Sequence, residues 1–177
     1  MPAGRRTRIL IVDDSAVMRQ LLRSVIAVDP QLEVAGTATD GAAALQSIAS
    51  VAPDLVLMDV EMPVMDGLTT LKKLRALGHR LPAIICSSLT QRGARVTIEA
   101  LAAGAADYVA KPGEQNNRDA AVRALAAQLL PKIEALMRKV DLTTVACRRT
   151  SSGFGAQGRE FAGGRSHRRL HGWSRGT

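Results

Sequence analysis

Aromatic side chains are nearly absent from this sequence, which argues against the classes of protein that depend on them. They make up 2% of the 177 residues, so a nucleic-acid platform of stacked aromatic rings is disfavoured. The two cysteines, Cys86 and Cys147, are too few for a disulfide framework and fit a reducing compartment. No apolar run approaches the length of a membrane span or a secretory signal. We therefore expect a cytoplasmic protein with a core of Ala, Val, Leu and Ile.

Acidic residues are scarce only at the end of the chain. The formal net charge is +8, which by itself would suggest a nucleic-acid partner. From Cys147 onward there are seven arginines and a single acid, Glu160, so this tail holds most of the surplus. Its Gly, Ser and Arg content is typical of a disordered segment. We expect residues 7–140 to form one domain and residues 141–177 to form a basic, disordered tail.

Short apolar runs alternate with amphipathic segments along the domain. The runs predict five strands, near residues 8–13, 32–38, 54–59, 82–87 and 106–110. The segments between them predict helices that begin near Ser15, Asp40, Gly67, Arg92 and Asp119. The fifth extends to about Val140, with Pro131 as a point of kinking or division. Apolar strands separated by helices predict an α/β fold with a doubly wound, five-stranded parallel sheet.

Three carboxylates and a lysine fall where predicted strands end. Asp13 and Asp14 close the first strand, Asp59 closes the third, and Lys111 follows the fifth. In such sheets, functional groups collect beyond the carboxyl ends of the strands. Clustered carboxylates repel one another unless a hard cation or a lysine lies among them. The pattern predicts a divalent-metal site with a reactive aspartate. Taken singly, each aspartate would more commonly be a helix cap or a turn residue.

Several segments resemble, in order and in spacing, the receiver domain of two-component response regulators. The resemblance covers about residues 7 to 140 and agrees with the strand count. The matching segments are Asp13-Asp14-Ser15, Met58-Asp59, Val60-Glu61-Met62-Pro63, Met65-Asp66-Gly67, Ser87-Ser88 and Tyr108-Val109-Ala110-Lys111-Pro112.

The resemblance implies a role for each of these positions. Asp59 would accept a phosphoryl group from a chemotaxis-type histidine kinase. Mg²⁺ would be held by Asp13, Asp14, Asp59 and the carbonyl of Glu61. Ser87 and Lys111 would contact the phosphoryl group, and Ser87 and Tyr108 would switch the face formed by the fourth helix, the fifth strand and the fifth helix. Pro112, Asp66 and Gly67 would be structural.

Two of these residues have ordinary alternatives. Ser87 could simply begin a polar loop, and Tyr108 could be a packing residue of an edge strand. A phosphatase with an aspartyl nucleophile is disfavoured, because it would need an Asp-x-Asp loop that neither aspartate cluster provides.

The segment from Ser87 to Val109 resembles the receiver of the chemotaxis-specific protein-glutamate methylesterase. In that family the receiver restrains a following esterase domain that acts on chemoreceptors, and no such domain is present in this sequence. We hypothesise a frameshift near the end of the fifth helix, because the composition changes abruptly to Gly and Arg after about Val145. One permitted back-translation of residues 166–177, read one nucleotide later, resembles the opening of that esterase domain.

The sequence is therefore compatible with three functions. The chain is the regulatory part of a methylesterase without esterase activity, or a stand-alone receiver that acts as a binding module or phosphate sink, or a regulator that binds nucleic acid through its tail. The third is the weakest, because the tail has no recognition-helix pattern and only Trp173 to stack on bases.

Overall fold

The computed structural model describes residues 5–88, 91–113 and 117–151, and for residues 91–93 and 141–151 it describes the backbone alone. Two units are distinguished, Met1–Asp141 and Leu142–Thr177, and the site lies in the first. Strands and helices alternate along the chain. They are β1 (Thr7–Val12), α1 (Ala16–Ile26), β2 (Leu32–Ala38), α2 (Gly41–Val51), β3 (Leu55–Asp59), α3 (Gly67–Ala76), β4 (Ala83–Ser87), α4 (Gln91–Ala102), β5 (Asp107–Ala110) and α5 (Arg118–Ser151).

The five strands form one parallel sheet in the order β2-β1-β3-β4-β5. From β1 the chain moves to one edge through β2 and then returns past β1 to build the other half. The reversal therefore lies between β1 and β3, and the loops that follow these two strands diverge to opposite sides. A crevice opens at such a point, at the carboxyl ends of the strands.

The sheet is covered on both faces because neighbouring strand residues point to opposite sides. Ile9 and Ile11 pack with α1 and α5. Leu10 and Val12 pack with α2, α3 and α4. Burial on both faces explains why these strands are apolar throughout and do not alternate with polar residues.

Polar side chains cap the first turn of four helices, and for α5 the cap is Asn117, which accepts from the amides of Asp119 and Ala120. Ser15 accepts a hydrogen bond from Met18 N, Asp40 accepts from the amides of Ala42 and Ala43, and Asp66 accepts from Thr69 N. These caps satisfy amide groups that have no partner inside a helix. Helices α1, α2 and α3 each follow a strand directly, so their caps also fix where the chain turns at the carboxyl edge of the sheet.

The predicted fold class is confirmed, and the strand bounds agree to within one residue. The end predicted for the fifth helix is wrong, because α5 continues past Val140 to Ser151 and is not divided at Pro131. A change in composition after Val145 does not end a helix whose backbone hydrogen bonds can continue. The division of the chain after residue 140 stays a prediction, and residues 152–177, on which the frameshift hypothesis depends, lie outside the described residues. Among the described helices, none has the length and apolarity needed to cross a membrane.

Candidate phosphoacceptor and metal site

The register of the sheet brings the predicted acids and the lysine to one place. Val12 pairs with Met58, so Asp13 and Asp59 follow at the same level of adjacent strands. Asp59 pairs with Cys86, and Ser87 pairs with Ala110. Lys111 therefore follows β5 at the level at which β4 ends, and Lys111 N donates to Ser87 O at 2.8 Å. The parallel sheet thus gathers residues that are far apart in the sequence.

Asp13, Asp14 and Asp59 each offer a carboxylate oxygen, and the three oxygens lie within 4.8 Å of one another. Asp13 is fully buried, Asp59 is 5% exposed and Asp14 is exposed. Two amides help to orient the buried pair, since Ser15 N donates to Asp13 Oδ1 at 2.9 Å and Glu61 N donates to Asp59 Oδ1 at 3.4 Å. The second contact is long and correspondingly weak. The cluster is thus exposed to solvent at Asp14 and buried at Asp13 and Asp59.

Lys111 lies between the two buried carboxylates. Its Nζ is 2.7 Å from Asp59 Oδ2 and 2.9 Å from Asp13 Oδ2. Both contacts are ion pairs, and Asp13 Oδ2 is a buried oxygen without a hydrogen-bond partner in the described part of the chain. One ammonium group among three carboxylates leaves the site negatively charged.

The titration behaviour of the pair reflects this arrangement. Burial raises the pKa of the Asp13 carboxyl above its ordinary value, and the nearby Lys111 ammonium offsets only part of that effect. Burial also works to lower the pKa of Lys111, but the carboxylates of Asp59 and Asp13 outweigh it, so that the pKa is raised. The lysine is therefore held in its charged form, whereas Lys111 compensates the negative charge of Asp13 only in part.

The residues present fit a hard divalent cation such as Mg²⁺. The donor set is all oxygen, the local charge is negative, and the buried Asp13 Oδ2 has an unused acceptor position. Glu61 and Asp14 line one cavity of about 570 Å³ beside the cluster. The coordination of a cation by the Glu61 carbonyl stays a prediction.

Gly67 and Asp66 belong to the frame of the site. Gly67 N donates to Val60 O at 3.0 Å, and a Cβ atom on Gly67 would lie 2.1 Å from Asp59 O. Real Cβ atoms do not approach a carbonyl oxygen so closely, so α3 can begin against the end of β3 only with glycine here. Asp66 caps α3. On the other side Pro112 follows Lys111 and lines a groove with α1.

Ser87 and Tyr108 border a second cavity. Ser87 is buried at the end of β4, and Tyr108 on β5 is 47% exposed. Both line a cavity of about 430 Å³ together with Thr97, Ile98 and Leu101. Tyr108 therefore has open space beside it on the side of Ser87.

Sequence reasoning missed two basic residues. Lys132 on α5 pairs with Asp107 at 2.6 Å, and its Nζ lies 5.3 Å from the centre of the Tyr108 ring. Arg19 on α1 donates to the backbone carbonyls of Asp13 and Asp14. Lys132 gave no signal, because its partners come from another element. Arg19 gave a weak one, since a cation in the first turn of a helix opposes the helix dipole.

The sequence is similar to known proteins whose family fits this geometry. Residues 9–123 match the response regulator receiver domain. The chain is 45% identical over 136 residues to a protein-glutamate methylesterase/protein-glutamine glutaminase of a Nocardioides species, covering 77% of this chain and 37% of that protein. A protein of the same description from Trichodesmium erythraeum is also 45% identical, over 137 residues, covering 77% of this chain and 39% of that protein.

A solved structure of a receiver domain also resembles this chain. The response regulator domain of Thermotoga maritima CheB superposes with a TM-score of 0.66 at 40% identity, covering 76% of this chain and 98% of that domain. The chain thus spans less than two fifths of the length of the two methylesterases it matches, and the match covers their receiver part. On this evidence the chain belongs to the response regulator receiver domain family and carries the receiver domain of a two-component response regulator.

Proposed function

We propose that this receiver accepts a phosphoryl group on Asp59 from the phosphohistidine of a kinase, in a reaction that depends on Mg²⁺. The observation that carries the proposal is the setting of Asp59. Its carboxylate lies nearly buried at the crevice, 2.7 Å from the Lys111 ammonium and within reach of two further carboxylates. A structural aspartate has no need of two more acids around it.

The reaction requires little of the protein beyond positioning and charge. A carboxylate oxygen of Asp59 attacks phosphorus, the new O–P bond forms as the N–P bond breaks, and the electron pair of the broken bond stays on the imidazole nitrogen. Asp13, Asp14, Asp59 and the Glu61 carbonyl would hold the cation. When bound, Mg²⁺ supplies positive charge that reduces the repulsion between the anionic donor and the anionic site.

Lys111 and Ser87 would receive the transferred group. Lys111 Nζ already contacts Asp59 Oδ2, so a small shift brings it to a phosphoryl oxygen. The Ser87 hydroxyl, which now donates to Ser88 O at a long 3.3 Å, is free to donate to another phosphoryl oxygen instead. Exchanging a poor hydrogen bond for a charge-assisted one draws Ser87 toward the phosphoryl group.

The movement of Ser87 would be transmitted through Tyr108. A phosphoryl group adds about two negative charges and three strong acceptors. As Ser87 moves toward it, the cavity shared by Ser87 and Tyr108 gains room for the tyrosine ring. Rotation of Tyr108 from its half-exposed position then alters the face made by α4, β5 and α5. A bias of a few kcal/mol is sufficient to reverse such a two-state preference.

The relatives suggest what this face controls. Both are described as protein-glutamate methylesterase/protein-glutamine glutaminase, and this chain matches their receiver part. We assign the receiver to the regulation of such an esterase domain, with chemoreceptors as the final targets and without esterase activity of its own. A stand-alone receiver that acts as a binding module or phosphate sink is the alternative. Nucleic-acid binding through the tail is the least favoured of the three.

Phosphorylation of matched variants tests the central proposal. The full chain is incubated with acetyl phosphate and Mg²⁺, and the bound phosphoryl group is measured by intact mass and by its lability to hydroxylamine. We expect a hydroxylamine-labile signal in the wild type, none in Asp59→Asn, none after chelation of the metal, and an unchanged signal in Asp29→Asn, which removes an acid from the loop after α1. A phosphoryl group that persists in Asp59→Asn would overturn the assignment.

The choice between the first two functions needs an esterase domain from a relative. The unphosphorylated chain is added to that isolated domain, and hydrolysis of receptor methyl esters is followed. Inhibition that is relieved by phosphorylation is expected for the regulatory part of a methylesterase. A rate that does not respond to the chain in either state favours the stand-alone receiver.

A further inference from the structure

Arg19 connects the first turn of α1 to the loop that carries two of the acids. A single guanidinium nitrogen, Nη1, donates to Asp13 O at 2.8 Å and to Asp14 O at 3.0 Å. Both are ordinary hydrogen-bond lengths, and the donor is charged, which strengthens them. The side chain of Arg19 is half-buried. It therefore contacts the backbone of the acid loop and not the carboxylates themselves.

The position of this cation is unfavourable for the helix that carries it. The N-terminal turn of a helix has exposed amide groups and a partial positive charge, which favour acids and disfavour arginine. Helix α1 has no acid in that turn, and its other basic residue, Arg23, lies in the favourable last turn. The two carbonyl contacts are what offset the cost of placing Arg19 here.

The two acids depend on Arg19 to different degrees. Asp13 is held at two further points, because its N–H donates to Ala38 O at 3.1 Å and its Oδ1 accepts from Ser15 N at 2.9 Å. For Asp14, which is exposed, the structure describes one hydrogen bond, the one from Arg19 to its carbonyl. The peptide plane on each side of a residue fixes the direction of its side chain. Arg19 bonds to the carbonyl of both peptide planes that flank Asp14, whereas the Ser15 N–H bond to Asp13 Oδ1 restrains only the second of them.

We propose that Arg19 is a positioning residue for the cation site, which holds the Asp13 and Asp14 carbonyls so that both carboxylates face the crevice. The inference rests on the proposed function, since it assumes that these acids bind a divalent cation. Partners that orient metal-binding groups typically change metal affinity by about 10- to 100-fold when they are removed. Arg19 acts at the backbone of two such groups.

Electrostatic repulsion alone predicts the opposite effect of removing Arg19 on cation affinity. Arg19 is a positive charge close to the site and repels a divalent cation. If it served only as a surface charge, its removal would tighten cation binding. If it positions the acid loop, its removal loosens binding, because Asp14 must be ordered at the moment the cation binds.

The test measures cation binding without phosphorylation. Free Mn²⁺ is followed by electron paramagnetic resonance during titration of the full chain, and Mg²⁺ is added as competitor. We expect Arg19→Gln to bind both cations about tenfold more weakly than the wild type. Arg19→Lys keeps the charge on a shorter side chain without the planar fork, so its affinity should lie between the two. Arg23→Gln removes the same charge from an exposed position on α1 and should bind as the wild type does.

Equal or tighter binding in Arg19→Gln, with an unchanged unfolding midpoint in EDTA, would overturn the inference. If Arg19→Gln does not fold, Arg19→Lys carries the test, and affinity equal to that of the wild type then counts against it. A wild-type chain that binds no Mn²⁺ would contradict the proposed function instead. A wild type that binds, alongside an unaffected Arg19→Gln, would contradict the role of Arg19 alone.

Discussion

Both ends of the same sheet carry charged clusters, and they are built in opposite ways. At the amino end, Arg8 lies among acceptors: its Nη1 is 3.1 Å from Glu33 Oε1, its Nη2 donates to Val51 O, and its N–H donates to Asp54 Oδ2. Arg5 pairs with the other oxygen of Asp54. At the carboxyl end, three acids cluster and one lysine pairs with two of them, and the buried Asp13 Oδ2 has no hydrogen-bond partner among the described residues.

The two ends of the sheet therefore differ in what they contribute: the amino end contributes stability, and the carboxyl end carries the candidate site. The amino end has balanced charge, and its polar groups satisfy one another. The carboxyl end gives up stability, because three acids are held close together and two of them, Asp13 and Asp59, are buried. Only the second arrangement leaves carboxylate oxygens available for the cation that the proposed function requires. Changes at the two ends should therefore affect the protein in different directions.

The largest expected effect concerns the exclusion of water from the Cys86 thiol at the carboxyl end of the sheet. Burial raises the pKa of the Cys86 thiol, at the end of β4, to about 12 from an ordinary value of 9.0. The thiolate fraction at neutral pH should be about a thousandfold lower than in the unfolded chain. We expect iodoacetamide to modify Cys86 at least that much more slowly in the native state. The rate is measured in Cys147→Ser, with and without guanidinium, and similar rates would mean that the crevice is open to water as far as β4.

The next effect tests the close approach at the end of β3. In Gly67→Ala the new Cβ must move away from Asp59 O, so α3 and β3 separate. We expect the free energy of unfolding to fall by about 1–3 kcal/mol and phosphorylation of Asp59 to weaken. In Gly113→Ala, by contrast, no atom of the described residues lies within 4 Å of the added Cβ. If the two variants lose equal stability in urea, the close approach at Gly67 is not what matters.

At the amino end, Arg8→Met should destabilise the fold without changing the extent of phosphorylation. The variant loses the contacts to Glu33 and Val51, and the half-exposed site limits the cost to about 1 kcal/mol. Urea unfolding gives the stability, and phosphorylation at saturating acetyl phosphate gives the activity. A large loss of phosphorylation in a folded Arg8→Met would break the separation between the two ends.

The smallest effect has the opposite sign. Because burial raises the pKa of Asp13, its charged form is less stable in the folded chain than in the unfolded one. Stability from this group is present below the ordinary pKa of 3.8 and is lost as the pH rises through the folded-state pKa. Asp13→Asn removes that loss, and we expect it to be more stable by about 0.5–1 kcal/mol near neutral pH without metal, since the lost Lys111 pair offsets part of the gain.

The measurement for Asp13→Asn is urea unfolding in EDTA over a range of pH. The advantage of the variant should grow as the pH rises above 3.8 and then level off. Added Mg²⁺ should reverse the order of the two proteins, because it stabilises only a site with its full set of acids. A variant that is less stable at every pH would mean that Asp13 is well compensated in the native state.

The sequence predicted those features that depend on a local pattern. Apolar runs gave the five strands, and Asp40 and Gly67 marked helix starts, because caps and periodicity act over a few residues. The convergence of Asp13, Asp59 and Lys111 could also be predicted, since a parallel sheet brings the ends of its strands together. Their functional roles came from the family resemblance and stay predictions.

Contacts that depend on the reach of a long side chain could not be predicted. Arg19 turns back over one helical turn to two carbonyls, and Lys132 crosses from α5 to Asp107 on β5. Neither follows from spacing. The 2.1 Å distance between a Cβ on Gly67 and Asp59 O depends on how closely α3 approaches β3, which no pattern specifies.

The strand order has a consequence for how the site comes into being during synthesis. Asp13 and Asp59 follow β1 and β3, two interior strands that are made before β5, whereas Lys111 follows β5, the last strand, which pairs with β4 at the edge of the sheet. A nascent chain that has folded only as far as β4 holds the acids without their counter-charge. In the finished protein, each local detachment of this edge strand removes the lysine from the acids. The charge balance around Asp59 thereby depends on the pairing of an edge strand of only four residues.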